Sequence, residues 1–309
     1  MKVAVLSGGI GGARFLRGLV GVVDPSEITI VGNVGDDTEV LGLHVSPDLD
    51  SVLYTLAGLA DEERGWGRAD ETWNALDTVT RLGGESWFRL GDRDIGLNLV
   101  RTQLLREGVP LSEVTERIAH ALGLEVALLP ATDDPLRTFL ETPAGTFAFQ
   151  TWFVARGHKD EVDAVHYAGA PEARAAPGAL EAIEAADVIL ITPSNPYVSI
   201  GPILAVDEIR NALEHRTVPC VAVSPLVDGR AVKGPADRML RRLAGGTTPE
   251  HVAGCYEGLI DVLVVDETDA PSAPVPGLRS TVVTQTLMTD VSAARRLAAA
   301  TVHAAGTPA

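Results

Sequence analysis

Four groups of residues in this 309-residue chain have types and spacings suited to chemistry. The first is a glycine turn, Gly8-Gly9-Ile10-Gly11-Gly12, with Arg14 two positions further on. Backbone without side chains lets a phosphate approach closely, and the free N–H groups of a first helical turn point at it. Arg14 beside such a turn could clasp a phosphate with both arms of its guanidinium. The spacing is not the dinucleotide fingerprint G-x-G-x-x-G, because Arg14 stands where a motif begun at Gly9 needs its last glycine. It is not a P-loop either, since no lysine closes the turn. On the residues alone the turn is either a phosphate cradle or a tight strand-to-helix turn that binds nothing.

The second group is acidic: Asp36 and Asp37 directly after an apolar run, then Asp48 and Asp50 in Ser-Pro-Asp-Leu-Asp. Carboxylates beside a phosphate cradle make sense if a hard cation such as Mg²⁺ shares oxygens of both. Taken singly, Asp36 is equally a turn residue, and Asp48 and Asp50 are equally helix caps. The third group, Arg89-Leu90-Gly91-Asp92-Arg93-Asp94, sets four charges around a glycine between two helical stretches, and otherwise reads as a solvated loop. The fourth runs from Thr192 to Pro202, where two prolines fix a loop offering Ser194, Asn195 and Ser199 as polar contacts. A related loop carries Lys233 just ahead of a helix start, an arrangement friendly to anions.

The elements that must position these groups alternate as in an α/β protein. A continuous apolar run over 3–6 suits a strand buried on both faces. Phe15, Leu16, Leu19 and Val20 then share one face of a helix. Further strands are expected over 28–31, 188–191, 218–223, 262–265 and 282–286, with helices over 178–186, 202–215, 235–243, 249–259 and 290–304. A helix should begin near Asp48. Residues 61–123 read as a helical insertion, with helices over 70–82, 95–106 and 112–122. Residues 124–170 read as an antiparallel excursion, with strands over 125–129, 136–141 and 146–154. The fold class expected is therefore a single α/β domain over 1–309, with a Rossmann-like, mostly parallel sheet.

Lys and Arg total 25 against 42 Asp and Glu, a net charge of −17 that argues against nucleic acid or an anionic membrane as partner. An acidic protein with a phosphorylated ligand needs focused arginines or a bridging cation. No apolar run approaches the roughly 18 residues of a membrane span, and no signal-peptide layout precedes the first strand, so a cytoplasmic protein is expected. Cys220 and Cys255 have no ligand-like spacing and read as reduced core residues. The seven histidines are scattered and do not suggest a metal site.

These motifs, in their order along the whole chain, resemble the 2-phospho-L-lactate transferase family. The match runs through S-G-G-I-G-G, G-D-D, S-P-D-L-D, L-G-D-R-D, P-S-N-P with S-I-G-P-I, and S-P with G-P-A. The resemblance implies a Mg²⁺-dependent, typically homodimeric enzyme of deazaflavin coenzyme biosynthesis. It would transfer a phosphorylated three-carbon acid from a guanosine diphosphate-linked donor to the deazaflavin FO, releasing GMP. It implies that Asp50 and Arg89 contact FO. The glycine turn (Gly8, Gly9, Gly11, Gly12) and Arg14 would hold the donor pyrophosphate. Asp37 and Asp50 would hold Mg²⁺, with Asp36 as a base or a support behind the metal. Ser194, Asn195, Ser199 and Lys233 would hold the rest of the donor. No residue chooses among lactyl, enolpyruvyl and glyceryl groups. The rival class is a non-catalytic nucleotide- or nucleotide-sugar-binding regulator with a similar glycine turn.

Overall fold

A computed structural model describes residues 1–306. Seven strands form one parallel sheet around β1 (Val3–Ser7), whose residues are all buried. On one side β1 pairs with β2 (Ile28–Gly32), and β2 with Ala127–Pro130 at the edge. On the other side Val188–Ile191, Cys220–Val223, Val262–Asp266 and Ser280–Thr284 follow outward in order. The apolar runs VAVL, VILI and VLVV are thus strands covered on both faces, as parallel sheets require.

The order reverses where β1 meets Val188–Ile191. In open α/β sheets the crevice beyond the carboxyl ends at such a point is the ligand-binding place. Here those ends deliver Gly8, Thr192 and Pro193, with Asn33 beside them after β2. From β1 the chain enters α1 (Gly9–Leu19), whose buried Phe15, Leu16 and Leu19 form the expected apolar face. α2 (Pro47–Leu56) starts with proline at its first position and packs against α1.

Several expectations shift. Ala127–Pro130 belongs to the main parallel sheet rather than to the antiparallel excursion, which is the separate sheet of Gly145–Ala148, Arg137–Thr142 and Ala164–Ala168. The strand expected over 146–154 stops at Ala148, and Thr151–Ala155 turns into a π-helix. The helix expected over 202–215 is two, Gly201–Leu204 and Asp207–Glu214. A hairpin of Thr38–Val40 and Leu43–Val45 joins the elements read from the sequence. Cys220 is buried and Cys255 partly so; both are free. Among the described residues no helix is long and apolar enough to cross a membrane.

Candidate active site

A cavity of about 670 Å³ opens at the carboxyl edge of the sheet, over the reversal point. Its floor is the glycine turn. Gly9 takes φ +69, a conformation that favours glycine, as the chain swings from strand into helix. Gly11 and Gly12 serve a different need, the close approach of α1 to the next loop. A Cβ on Gly11 would lie 2.8 Å from the Pro193 carbonyl oxygen, and one on Gly12 would strike Ser7, Thr192 and Ser194. Gly8, Gly9, Gly11 and Arg14 reach the cavity, whereas Gly12 is packed behind it.

The loop after Val188–Ile191 is tied down by its own hydroxyls. Thr192 Oγ1 lies 2.9 Å from Ser194 Oγ, and Ser194 Oγ donates to the Gly8 carbonyl. Asn195 Oδ1 accepts the Tyr197 N–H at 2.9 Å, capping a second π-helix, Pro196–Ile200. Single π-turns of this kind concentrate at functional sites. Ser194, Asn195 and Ser199 all face the cavity, but the first two already spend polar atoms on the loop itself.

The acid cluster is buried and close-knit. Asp48, in the first turn of α2, caps nothing there; its carboxyl lies against Gly8 and Gly9 and accepts Asn33 Nδ2 at 2.8 Å. Asn33 Nδ2 also reaches Asp36 Oδ1 at 3.4 Å, and Gln150 Nε2 donates to Asp36 Oδ2 at 3.1 Å. Burial, and then the negative charges of Asp48 and Asp37, push the Asp36 carboxyl well up from its ordinary range. Burial likewise pushes Asp48 up to about 7. Asp37 stands behind the cavity wall. Its Oδ2 accepts Ser46 Oγ at 2.8 Å and lies 2.9 Å from His44 Nε2, while its buried Oδ1 has no partner. Asp50 lines the cavity, but both its oxygens are taken by the guanidinium of Arg101.

Of these crowded carboxyls, only Asp37 keeps a buried oxygen with no partner, the one atom of the cluster free to meet a hard cation. Among the described residues no group of three or more His, Cys, Asp or Glu side chains is placed to hold a metal ion. Mg²⁺ usually binds through one or two carboxylates plus substrate oxygens.

The Arg89–Asp94 stretch divides in two. Arg89 is exposed at the cavity rim, its guanidinium carbon 4.5 Å from the Trp73 ring centre. Asp92 begins the helix Asp92–Arg106 and accepts from Thr72, Asn74 and Ala75, capping the helix Asn74–Arg81. Those bonds, the Thr72 hydroxyl first, hold its carboxyl down at about 2. Glu71 in turn accepts the Arg93 and Asp94 N–H groups. Asp94 takes the Tyr54 hydroxyl at 2.6 Å, and burial raises it to about 6. Lys233 also lines the cavity and donates to the Gly65 carbonyl at 2.7 Å; burial and nearby Arg14 hold its ammonium below the usual range.

Sequence reasoning missed Asn33, Tyr54, Asn98 and Arg101, and the aromatic wall of Phe149 and Phe153 with His158. Phe149 stacks on Phe153 at 5.2 Å and Phe153 on His158 at 5.1 Å. The available signal was the aromatic density of Phe147, Phe149, Trp152 and Phe153, whose spacing fits neither a strand nor an α-helix throughout.

Comparison with known proteins bears on this site. The family model for 2-phospho-L-lactate transferase CofD matches residues 3–305. A phosphoenolpyruvate transferase of Streptomyces griseus subsp. griseus is 45% identical over 307 residues, covering 96% of each chain. One from Streptomyces coelicolor is 47% identical over 276 residues, covering 87% of this chain and 86% of its own. One from Mycobacterium sp. (strain KMS) is 40% identical and covers 99% of both. A crystal structure of a UPF0052 family member from Bacillus halodurans superposes with a TM-score of 0.63 at 19% identity, covering 97% of this chain and 98% of its own, and so shares the fold.

Proposed function

This chain belongs to the 2-phospho-L-lactate transferase family, and from that premise we propose that it transfers a phosphoenolpyruvyl group from a guanosine diphosphate-linked donor to the deazaflavin FO. The enolpyruvyl choice follows the names of its relatives. The observation that carries the reading is the meeting of Asp48 and Gly9. An acidic side chain already sits at the positive end of α1, with Asp36 and Asp37 in the same cluster.

In the proposed reaction the terminal ribityl oxygen of FO bonds to the phosphorus that bears the three-carbon acid. The bond from that phosphorus to GMP breaks, GMP departs with the electron pair, and the proton of the FO hydroxyl passes to the departing phosphate or to solvent. Such transfers depend chiefly on positioning and on neutralising oxygens. The glycine turn and Arg14 hold the donor diphosphate, with Lys233 and Ser199 toward the rest of the donor. Arg89 and Asp50 hold FO on the opposite wall. Asp36, whose carboxyl burial and the neighbouring Asp48 and Asp37 push up, is held by Asn33 and Gln150 behind the metal. Mg²⁺ would be held by Asp37 with Asp36 and Asp48 as neighbours, and would neutralise diphosphate oxygens as charge passes to GMP. A homodimer completes the proposal, and sedimentation would test it.

The test is to incubate the protein with FO, Mg²⁺ and each of the lactyl, enolpyruvyl and glyceryl guanylated donors, and to weigh the products. We expect one main product, the FO phosphodiester of the enolpyruvyl donor, and none in excess chelator. Asp37→Asn, which keeps an oxygen for His44 and Ser46, should lose turnover through lost cation affinity with its melting curve intact. Full turnover in chelator, or no product from any donor, overturns the reading.

A further inference from the structure

Arg101 is the one Lys or Arg side chain among the described residues that is wholly buried. It reaches from the helix Asp92–Arg106 across to α2. Its Nη1 donates to Asp50 Oδ2 at 3.0 Å and to Asn98 Oδ1 at 2.6 Å, and its Nη2 donates to Asp50 Oδ1. The two side chains therefore meet fork to fork, the geometry that fixes a carboxylate in direction as well as charge. Five buried aspartates surround this region, Asp36, Asp37, Asp48, Asp50 and Asp94, and only Asp50 has the guanidinium. The contrast with Asp37 is direct. Asp37 keeps a buried oxygen with no partner, while Asp50 has none to spare from its cation.

A divalent cation bound to Asp50 would have to sit next to that guanidinium, against like-charge repulsion in a site with little water to screen it. A hydroxyl meets no such penalty, because each carboxylate oxygen keeps a second lone pair that can accept a hydrogen bond. We propose that Arg101 is a positioning residue that reserves Asp50 for the acceptor by gripping both its oxygens, and so keeps Asp50 out of the cation's coordination sphere. This rests on the acceptor reading given above, and it departs from the expectation that Asp50 shares the metal with Asp37.

The experiment compares wild type, Arg101→Gln, Arg101→Lys, Asp50→Asn and the Arg101→Gln/Asp50→Asn double variant. Two readouts are taken: Mn²⁺ alone titrated by electron paramagnetic resonance, and steady-state kinetics varying FO and donor separately. Arg101→Gln should bind Mn²⁺ at least three-fold more tightly, because Asp50 is released, and the double variant should return to the wild-type value. Its KM for FO should rise ten-fold or more with KM for donor unchanged, and Arg101→Lys should recover part of that loss. An ion pair that is merely structural would lower the melting temperature and leave both the Mn²⁺ affinity and the KM split as in wild type, which overturns the proposal. Asp50→Asn alone keeps the question decidable should Arg101→Gln fail to fold. Unchanged Mn²⁺ affinity supports the assignment, and a ten-fold loss makes Asp50 a ligand and overturns it. Failure of wild type to bind FO would instead defeat the acceptor reading, while the Mn²⁺ comparison would still stand.

Discussion

The Asp48 carboxyl lies against Gly8 and Gly9, so the positive end of α1 is met by a side chain of the chain itself. The place where a donor phosphate would seat is thereby held in shape without one. The arrangement stores repulsion, because Asp36 and Asp37 crowd the same region.

That repulsion makes stability depend on pH. Burial raises the Asp48 carboxyl from 3.8 to about 7, so between those values the folded protein binds more protons than the unfolded chain. Stability from this group is present below about pH 4 and is lost as pH rises through about 7. The raised Asp36 adds in the same direction. The loss is on the order of a few kcal/mol, since each tenfold change in a carboxyl's acidity corresponds to about 1.4 kcal/mol. In chelator, the melting temperature should fall from pH 5 to pH 8, and Asp48→Asn should flatten that slope and melt higher than wild type at pH 8. A variant that melts lower at pH 8 than at pH 5 by as much as wild type would show that Asp48 is not the strained group.

Gly11 offers a second test. Rather than only clearing space for the donor, its α-carbon faces the Pro193 carbonyl, 2.8 Å from where a Cβ would stand. Gly11→Ala should therefore push the 192–196 loop and lower stability by about 1–3 kcal/mol, the usual cost of overpacking. Calorimetry should show the lower melting temperature even without donor, and FO titration should show an unchanged acceptor wall. A variant as stable as wild type that loses only donor affinity would return Gly11 to a purely ligand-facing role.

The sheet was legible because a parallel strand covered on both faces must be a continuous apolar run, and β1, Val188–Ile191 and Val262–Asp266 are such runs. The glycine turn was legible because few other uses call for four glycines in five positions. The Asp50–Arg101 pair was not, since 51 residues separate the partners. Its helix also hides its inward face: Asp92–Arg106 buries Asn98, Arg101 and Thr102 while Leu99 and Val100 are about half exposed. Reading only apolar positions as inward finds Leu97, Leu104 and Leu105 but misses the polar residues this helix buries. The hairpin Thr38–Val40/Leu43–Val45 escaped because its strands are three residues each, too short for alternation to register. The π-helix Thr151–Ala155 escaped because its aromatic run also suits a strand.

Arg89 carries the last prediction. Its guanidinium lies over the Trp73 ring at the cavity rim, and Arg64 approaches the same ring at 5.1 Å. An exposed contact of this kind contributes roughly 0.5–1 kcal/mol, so Arg89→Ala should fold with nearly the wild-type melting temperature. If Arg89 holds FO, one lost charge-assisted contact of about 1.5–3 kcal/mol weakens FO binding roughly ten- to hundred-fold. Quenching of FO fluorescence on titration with protein measures that affinity directly. If the donor instead sits on the glycine turn, it should still raise the variant's melting temperature as it does that of wild type. Normal FO binding with lost protection by donor would put Arg89 on the nucleotide side and reverse the placement of the two substrates.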